Sequence, residues 1–575
     1  MKNASIFNSC QVVFTLALLG MLRMIGIKLE LYSSPIITEF FELFKTPWEF
    51  FNPEQVYEVI ITDKLQNGLD AKLIIIFHQE KNPYQKVGRN KLHDQPVLIC
   101  YDEITFPIYM GVRELINKGP PLINELQEGR CIGSYCYEEG KVVLHIGYNF
   151  FEEAGYLITT GQPPKYACFP TLDIHIANLR KWILRAGVQL VEIPPRAIGS
   201  SFFVCLTHDV DFAGIRNHKF DHTLAGFFYR ALVTSLVKYI KGEHSLNILV
   251  QNWVAVAKLP FIQLGLIKDY WATFEQYRAI EQEAPSTFFF VPFKNRAGKG
   301  IKGISPFIRA VKYEVEKLKP TIVQLLEADC EIGVHGIDSW IDCKNGREEI
   351  SKIRTLTGHP ELGVRMHWLY FDLDSPKKLE QAGYAFDSTC GFNEIIGYKS
   401  GTSQVYKPLA VKHLMELPMH IMDTALFYPD RMNLTFSEGI NAIKVLMQTV
   451  VDNGGVLTIN WHDRSIGPER FWNEVYCHIL NELKVQEGLF LTAGAAVNWF
   501  RKRRTVRFQW DQNNNLSKRI KLTGFDIKPV DKMFLRIYVP VGQEFNGNFH
   551  KSTTVPYQDI LLDGQNEIEI FPENT

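Results

Sequence analysis

Two textures of apolar patterning divide the chain. Up to about residue 198, short runs rich in β-branched and aromatic residues (57–62, 71–77, 96–100 and 141–146) alternate with helical stretches such as 174–186. Alternation on that scale predicts a compact α/β domain. Pro194, Pro195 and Gly199 punctuate its end and predict a linker. From Ser201 the pattern changes to nearly continuous apolar runs that close on polar residues and are separated by helical stretches: 202–207, 286–291, 331–335, 363–367 and 455–462. Strand and helix in alternation predict a parallel sheet or barrel, a design that gathers its functional groups at the carboxyl ends of the strands. After the basic cluster Arg501 to Arg504, short alternating runs (505–510, 533–539, 566–570) predict a small β domain. The expected division is therefore 1–198, 199–500 and 501–575.

The strand ends of the middle segment are rich in Asp, His and Arg. Ionisable groups beside buried strands are costly unless they are paired or bind a metal, so their convergence points to an enzyme. Thr207-His208-Asp209-Val210-Asp211 sets two carboxylates two residues apart where the first of these strands closes. A cation bound to one relieves the mutual repulsion and leaves the other free as a base, although a structural cap fits the same spacing.

Five motifs in order resemble the polysaccharide deacetylase (NodB-like) family. Thr207 to Asp211 is similar to the family's first motif, commonly Thr-Phe-Asp-Asp-Gly or a variant. Ser286-Thr287-Phe288-Phe289-Phe290 resembles its Ala-Thr-Phe-Phe strand. Glu331-Ile332-Gly333-Val334-His335 resembles its metal-histidine motif, Gly363-Val364-Arg365-Met366-His367 stands where an Arg braces the base, and Leu457-Thr458-Ile459-Asn460-Trp461-His462 resembles the last motif. The resemblance implies a distorted (β/α) barrel as the catalytic domain of an α/β protein. It implies Asp209 as catalytic base, Arg365 as its brace, His462 as general acid, and Asp211 with His335 as ligands of a divalent metal, zinc being the expected ion. The implied reaction is hydrolytic removal of N-acetyl groups from an amino-sugar polysaccharide or glycan. Two other functions fit the same motifs: an amidase on a small N-acyl compound, and an inactive carbohydrate-binding relative.

The chain departs from the family at Ser339, four residues after His335, where a second metal histidine normally stands. Catalytic zinc generally has three protein ligands plus water, so a third is needed. His367 is the first candidate and Asp338 the second. His208, in place of a family Phe, is expected at the ligand. Trp340, Trp368 and Trp461 flank the implied catalytic groups and offer faces for sugar rings, core packing being the alternative. His218 and His222 have a metal-like spacing, but follow the first motif rather than a strand end, which favours substrate contact or a structural role.

Composition is globular: of 575 residues, 46% are hydrophobic and 13% aromatic. A net charge of -1, from 62 basic and 63 acidic residues, gives no overall field for nucleic acid, and a neutral sugar partner fits it. Ten scattered cysteines, several in apolar runs, suggest free thiols and a cytoplasmic setting. The apolar run 12–22 is closed by Arg23, lacks a small-residue cleavage site and is too short to span a bilayer. It is expected as an N-terminal helix on the first domain; export or membrane association through it is the alternative.

Overall fold

The computed structural model describes residues 25–30, 34–64, 68–78, 95–116, 118–138, 140–282, 284–511, 519–523, 527–538 and 556–562. The apolar run 12–22 and the strand expected at 566–570 lie outside them.

The first sheet has nine strands in the order Trp48–Phe50, Ile25–Lys28, Val59–Thr62, Leu73–Phe77, Lys141–Ile146, Cys131–Glu138, Pro121–Glu125, Val97–Tyr101 and Ile104–Ile108. Its first five strands run parallel and the rest antiparallel. The inner parallel strands Val59–Thr62 and Leu73–Phe77 are buried throughout, as a sheet covered on both faces requires. Helices Ser34–Phe44, Phe150–Thr159 and Thr171–Arg185 share its core through Phe40, Phe150 and Leu179, which cluster with Ile61 and Ile75.

The second sheet carries the chemistry, and its strands are numbered here from its own beginning: β1 Phe202–Val210, β2 Ser286–Phe290, β3 Glu331–Gly336, β4 Gly363–Met366, β5 Phe386–Asp387, β6 Met415–Glu416, β7 Ile421–Met422, β8 Val456–Asn460 and β9 Gly488–Phe490. The order is β6-β5-β4-β3-β2-β1-β8-β7, every pairing parallel, with β9 taking the edge of β1 that β2 leaves free near its start. This is a curled half-barrel rather than a closed one. Because all strands point the same way, the carboxyl ends of β1, β3, β4 and β8 lie side by side: Thr207 is level with Asn460, and His335 with Arg365.

Past the half-barrel, helix Ala493–Thr505 leads to the hairpin Arg507–Asp511 and Arg519–Thr523. Strand Phe534–Tyr538 then pairs antiparallel with both Tyr557–Leu561 and Leu190–Glu192, so the C-terminal strands are tied to the segment that precedes β1. The basic cluster closes helix Ala493–Thr505 and is engaged by groups from distant parts of the chain. Arg503 is buried and donates to the Glu42, Leu43 and Ile193 carbonyls, Arg504 pairs with Glu39, and Lys502 pairs with Asp531 at 2.8 Å. The carbonyls at the end of helix Ser34–Phe44 lack helical partners and carry its negative pole, which suits a guanidinium.

Candidate metal centre and catalytic cleft

In a strand, alternate side chains point to opposite faces, and that parity sorts the first motif. Asp209 and Asp211 share one side with Thr207, while His208 belongs to the other. Arg365 donates from one terminal nitrogen to Asp209 Oδ1 (3.0 Å) and Thr207 Oγ1 (2.8 Å), and from the other to Ser388 Oγ (2.9 Å). Asn460 Nδ2 donates to the second Asp209 oxygen at 2.8 Å. The buried carboxylate is thus held by two donors and oriented by three strands.

Asp211, His335 and His367 come together with their ligand atoms all within 4.8 Å of one another. Asp211 Oδ1 lies 3.4 Å from His335 Nε2 and 3.5 Å from His367 Nε2, and has no hydrogen-bond partner although it is buried. His335 Nδ1 is 2.9 Å from the Arg365 carbonyl, so the proton sits there and the Nε2 lone pair is turned to the cluster. Burial pushes His367 well below the usual imidazole range and keeps it neutral, as a ligand must be. One orphaned carboxylate oxygen and two lone-pair nitrogens fit a divalent cation with an open coordination position. Straight after His367, Trp368 and Leu369 take positive φ of 64° and 53°, a costly pair of conformations for bulky side chains that turns the chain sharply at the end of β4.

His462 faces this cluster from the loop after β8, its Nε2 3.8 Å from Asp211 Oδ2. Its Nδ1 donates to Asp423 Oδ1 at 2.6 Å, and its amide donates to Asp423 Oδ2 at 2.7 Å. Burial would lower this imidazole, but the charges of Asp423, Asp211 and Asp209 outweigh it and raise the group to about 9.

These groups open into a cavity of about 320 Å³ whose wall also carries basic, aromatic and aliphatic side chains. Arg309, Arg431, Arg464, Arg470 and Tyr428 line it with Trp368, His218 and His222. The Tyr428 hydroxyl accepts from both Arg464 (3.4 Å) and Arg470; burial would raise its pKa, but Arg470 and Arg464 bring it below the usual phenol range. His218 is held by Asp221 at 2.7 Å, so the histidine pair enters the wall and not the metal cluster.

The structure gathers Asp209, Asp211, His335, Arg365, His367 and His462 at one centre. It turns Asp338 away: Asp338 Oδ1 accepts from the Lys299 amide at 2.8 Å, packed against Gly298, where φ is +69° and a Cβ would lie 2.4 Å from that oxygen. Ser339 bonds to Glu349 Oε2 (2.6 Å) and Tyr384 (2.8 Å) inside the half-barrel's outer layer, so the residue at the missing histidine's position does not reach the metal cluster.

Three substrate-contact expectations need correcting. His208 is fully buried on the opposite side of β1, between the Trp461 carbonyl and Glu281 Oε1, each at 2.8 Å. Trp461, the residue after β8, has the same outward parity and stacks on Tyr476 at 5.1 Å between ring centroids. Trp340 is buried beside Tyr370 in the core. None of the three lines the cavity, and of the tryptophans flanking the motifs Trp368 does. Asn460 and Asp423 are the partners that sequence reasoning left without a role. The parity that excludes Trp461 was the available signal for Asn460; Asp423 reaches His462 only through the β7–β8 pairing.

No family model matches the chain. No curated protein matches it either. Among solved structures, the carbohydrate deacetylase Agd3 aligns over 96% of this chain and 99% of its own at 9% identity, with a TM-score of 0.36. PuuE allantoinase aligns over 54% and 93% at 13% identity (TM-score 0.33). A protein described as a polysaccharide deacetylase, from Mycobacterium smegmatis, aligns over 54% and 95% at 16% identity (TM-score 0.32). No residue role follows from likenesses of this size.

Proposed function

We propose that this chain is a metal-dependent hydrolase of the polysaccharide deacetylase kind, removing N-acetyl groups from an amino-sugar-containing glycan. One observation carries the reading: the Asp211, His335 and His367 cluster stands between a carboxylate held by two donors and an imidazole kept cationic by Asp423. A base and an acid on either side of a cation site are what amide hydrolysis needs and what a binding protein does not. Within the proposal, residues 199–500 form the catalytic unit, and 1–198 and 501–575 its accessory α/β and β parts.

Asp211, His335 and His367 would hold the divalent ion, with zinc suited to one oxygen and two nitrogen donors. Such an ion, when bound, supplies Lewis-acid polarisation and acidifies water. The other steps belong to side chains. Asp209 accepts the proton of the attacking water, oriented by Arg365 and Asn460. His462 delivers its Nε2 proton to the amide nitrogen as the C–N bond breaks, while Asp423 holds the imidazole in place. Water and an N-acetyl amine thus become acetate and a free amine. Trp368, exposed at the cavity wall, offers an apolar face to a sugar ring.

The test is elemental analysis of purified wild type, Asp211→Asn and His335→Ala, followed by acetate release from N-acetylated oligosaccharides. Near-stoichiometric divalent metal in the wild type alone, with acetate released by it alone, supports the reading. Absence of metal after reconstitution rules it out.

A further inference from the structure

Between β1 and β2 the chain forms a helical hairpin. Its first arm runs from His222 to Ile240 through a widened central turn, and its second is Leu246–Gln263. Asp221 caps the first arm and Ser245 the second. The arms meet along a narrow seam, where Phe227 and Ala231 cluster with Ala255, Leu259 and Ile262. Their outer sides should then be polar, because a surface helix confines its apolar residues to one stripe. They are not: Tyr229, Val233, Val237 and Ile240 are exposed on the first arm, and Val250, Trp253, Phe261 and Leu264 on the second, with Ile240 and Leu264 each 74% exposed.

A second apolar lip lies in the loop that follows β2, where Ile301, Ile304, Phe307 and Ile308 are all more than half exposed. Both lips border one opening: His222, Thr223 and Arg230 of the hairpin line the metal-site cavity, as do Ile308 and Lys312 of the loop. Apolar surface on this scale is rare on a monomer and marks a partner.

Charge identifies the partner's chemistry. Residues 219–268 hold six basic side chains against two acids, Asp221 and Glu243; Arg230 and Lys268 pair with Glu469 and Glu275, which leaves Lys219, Lys238, Lys241 and Lys258 without an acid partner among the described residues. Residues 294–312 hold six and no acid; Arg309 is buried and Lys294 and Arg296 pair with Glu314 and Glu348, which leaves Lys299, Lys302 and Lys312 without an acid partner among the described residues. The whole chain is close to neutral, so this is local enrichment. Apolar and aromatic side chains interleaved with lysines are the composition of helices that lie in a bilayer interface, where anionic headgroups attract the bases. No described helix is long and apolar enough to cross a membrane.

We infer that the hairpin and the loop 299–308 form a docking surface for an anionic lipid bilayer, with the opening of the metal-site cavity set against the headgroups. The docking stands apart from the deacetylase reading. It rests on that reading only for the consequence that the N-acetylated sugar taken up is one presented at the bilayer surface.

The experiment is co-sedimentation of the full-length protein with phosphatidylcholine vesicles and with vesicles that also contain phosphatidylglycerol. Two double variants accompany it, each changing one exposed residue per lip: Val237→Glu with Ile304→Glu, and Lys241→Glu with Lys302→Glu. Wild type is expected to bind phosphatidylglycerol vesicles at least about tenfold more tightly than phosphatidylcholine ones, with salt weakening it and each variant losing at least about tenfold. Metal content and hydrolysis of a soluble N-acetylated sugar should stay unchanged in both variants. Absence of vesicle binding, or binding indifferent to the variants, overturns the inference. So does a wild-type dimer in sedimentation velocity that Val237→Glu with Ile304→Glu dissociates, because the surface would then join two copies. Loss of hydrolysis with docking intact would count against the deacetylase reading alone.

Discussion

His462 and Asp423 are joined twice, side chain to side chain at 2.6 Å and backbone amide to the other carboxylate oxygen at 2.7 Å. The carboxylate both aims the imidazole and raises its pKa to about 9. A general acid works while protonated, so acetate release should persist as pH rises and fall only above the His462 pKa. Asp423→Asn keeps the shape and removes the charge. The alkaline limb of kcat/KM should then move down by about one pH unit or more, since loss of an adjacent opposite charge shifts a pKa by that order. Metal content should be unchanged, and an unmoved limb would exclude His462 as the acid.

The third metal ligand separates His367 from Asp338. His367→Ala should lower metal affinity at least about tenfold, measured by competition with a chromogenic chelator, because it removes a direct donor, and even supporting groups are worth that much. Asp338→Asn should leave affinity unchanged, since that side chain accepts the Lys299 amide and takes no part in the cluster.

Restoring the family's histidine should fail. Ser339 is fully buried between Glu349 and Tyr384, so Ser339→His forces a larger ring into a packed polar site. Unfolding in denaturant should show a loss of about 1–3 kcal/mol, typical of overpacking, with no gain in metal affinity. Tighter metal binding would mean that the turn after β3 can swing the side chain inward.

Arg503 is a structural test away from the chemistry. Arg503→Ala leaves the Glu42, Leu43 and Ile193 carbonyls without their donor. Hydrogen bonds to a charged group are worth about 1.5–3 kcal/mol each in net terms, so a loss of at least that size is expected from denaturant unfolding, with bound metal unaffected in the fraction that stays folded. Normal stability would show that water or another side chain replaces the guanidinium.

The residue order alone located the five strands that carry the chemistry, β1 to β4 and β8, because apolar runs closing on Asp, His and Arg can be read one strand at a time; the short strands β6, β7 and β9 were not legible that way. Local sequence also carried the parity that separates Asp209 and Asp211 from His208, and Asn460 and His462 from Trp461. Reading the neighbours of a catalytic residue as companions in the cleft overlooked it, and His208 and Trp461 proved to be core. Other features are not local. The third ligand stayed open between His367 and Asp338 because the choice depends on a left-handed turn after β4 and on what Lys299 contributes from another loop. Asp423 meets His462 across paired strands, Arg503 reaches a helix more than four hundred residues earlier in the chain, and the apolar face of the 222–263 hairpin is exposed only because its two arms pack on each other by so narrow a seam. Periodicity reports which side of an element is apolar; whether that side finds a partner within the chain is decided by the packing of elements far apart in sequence.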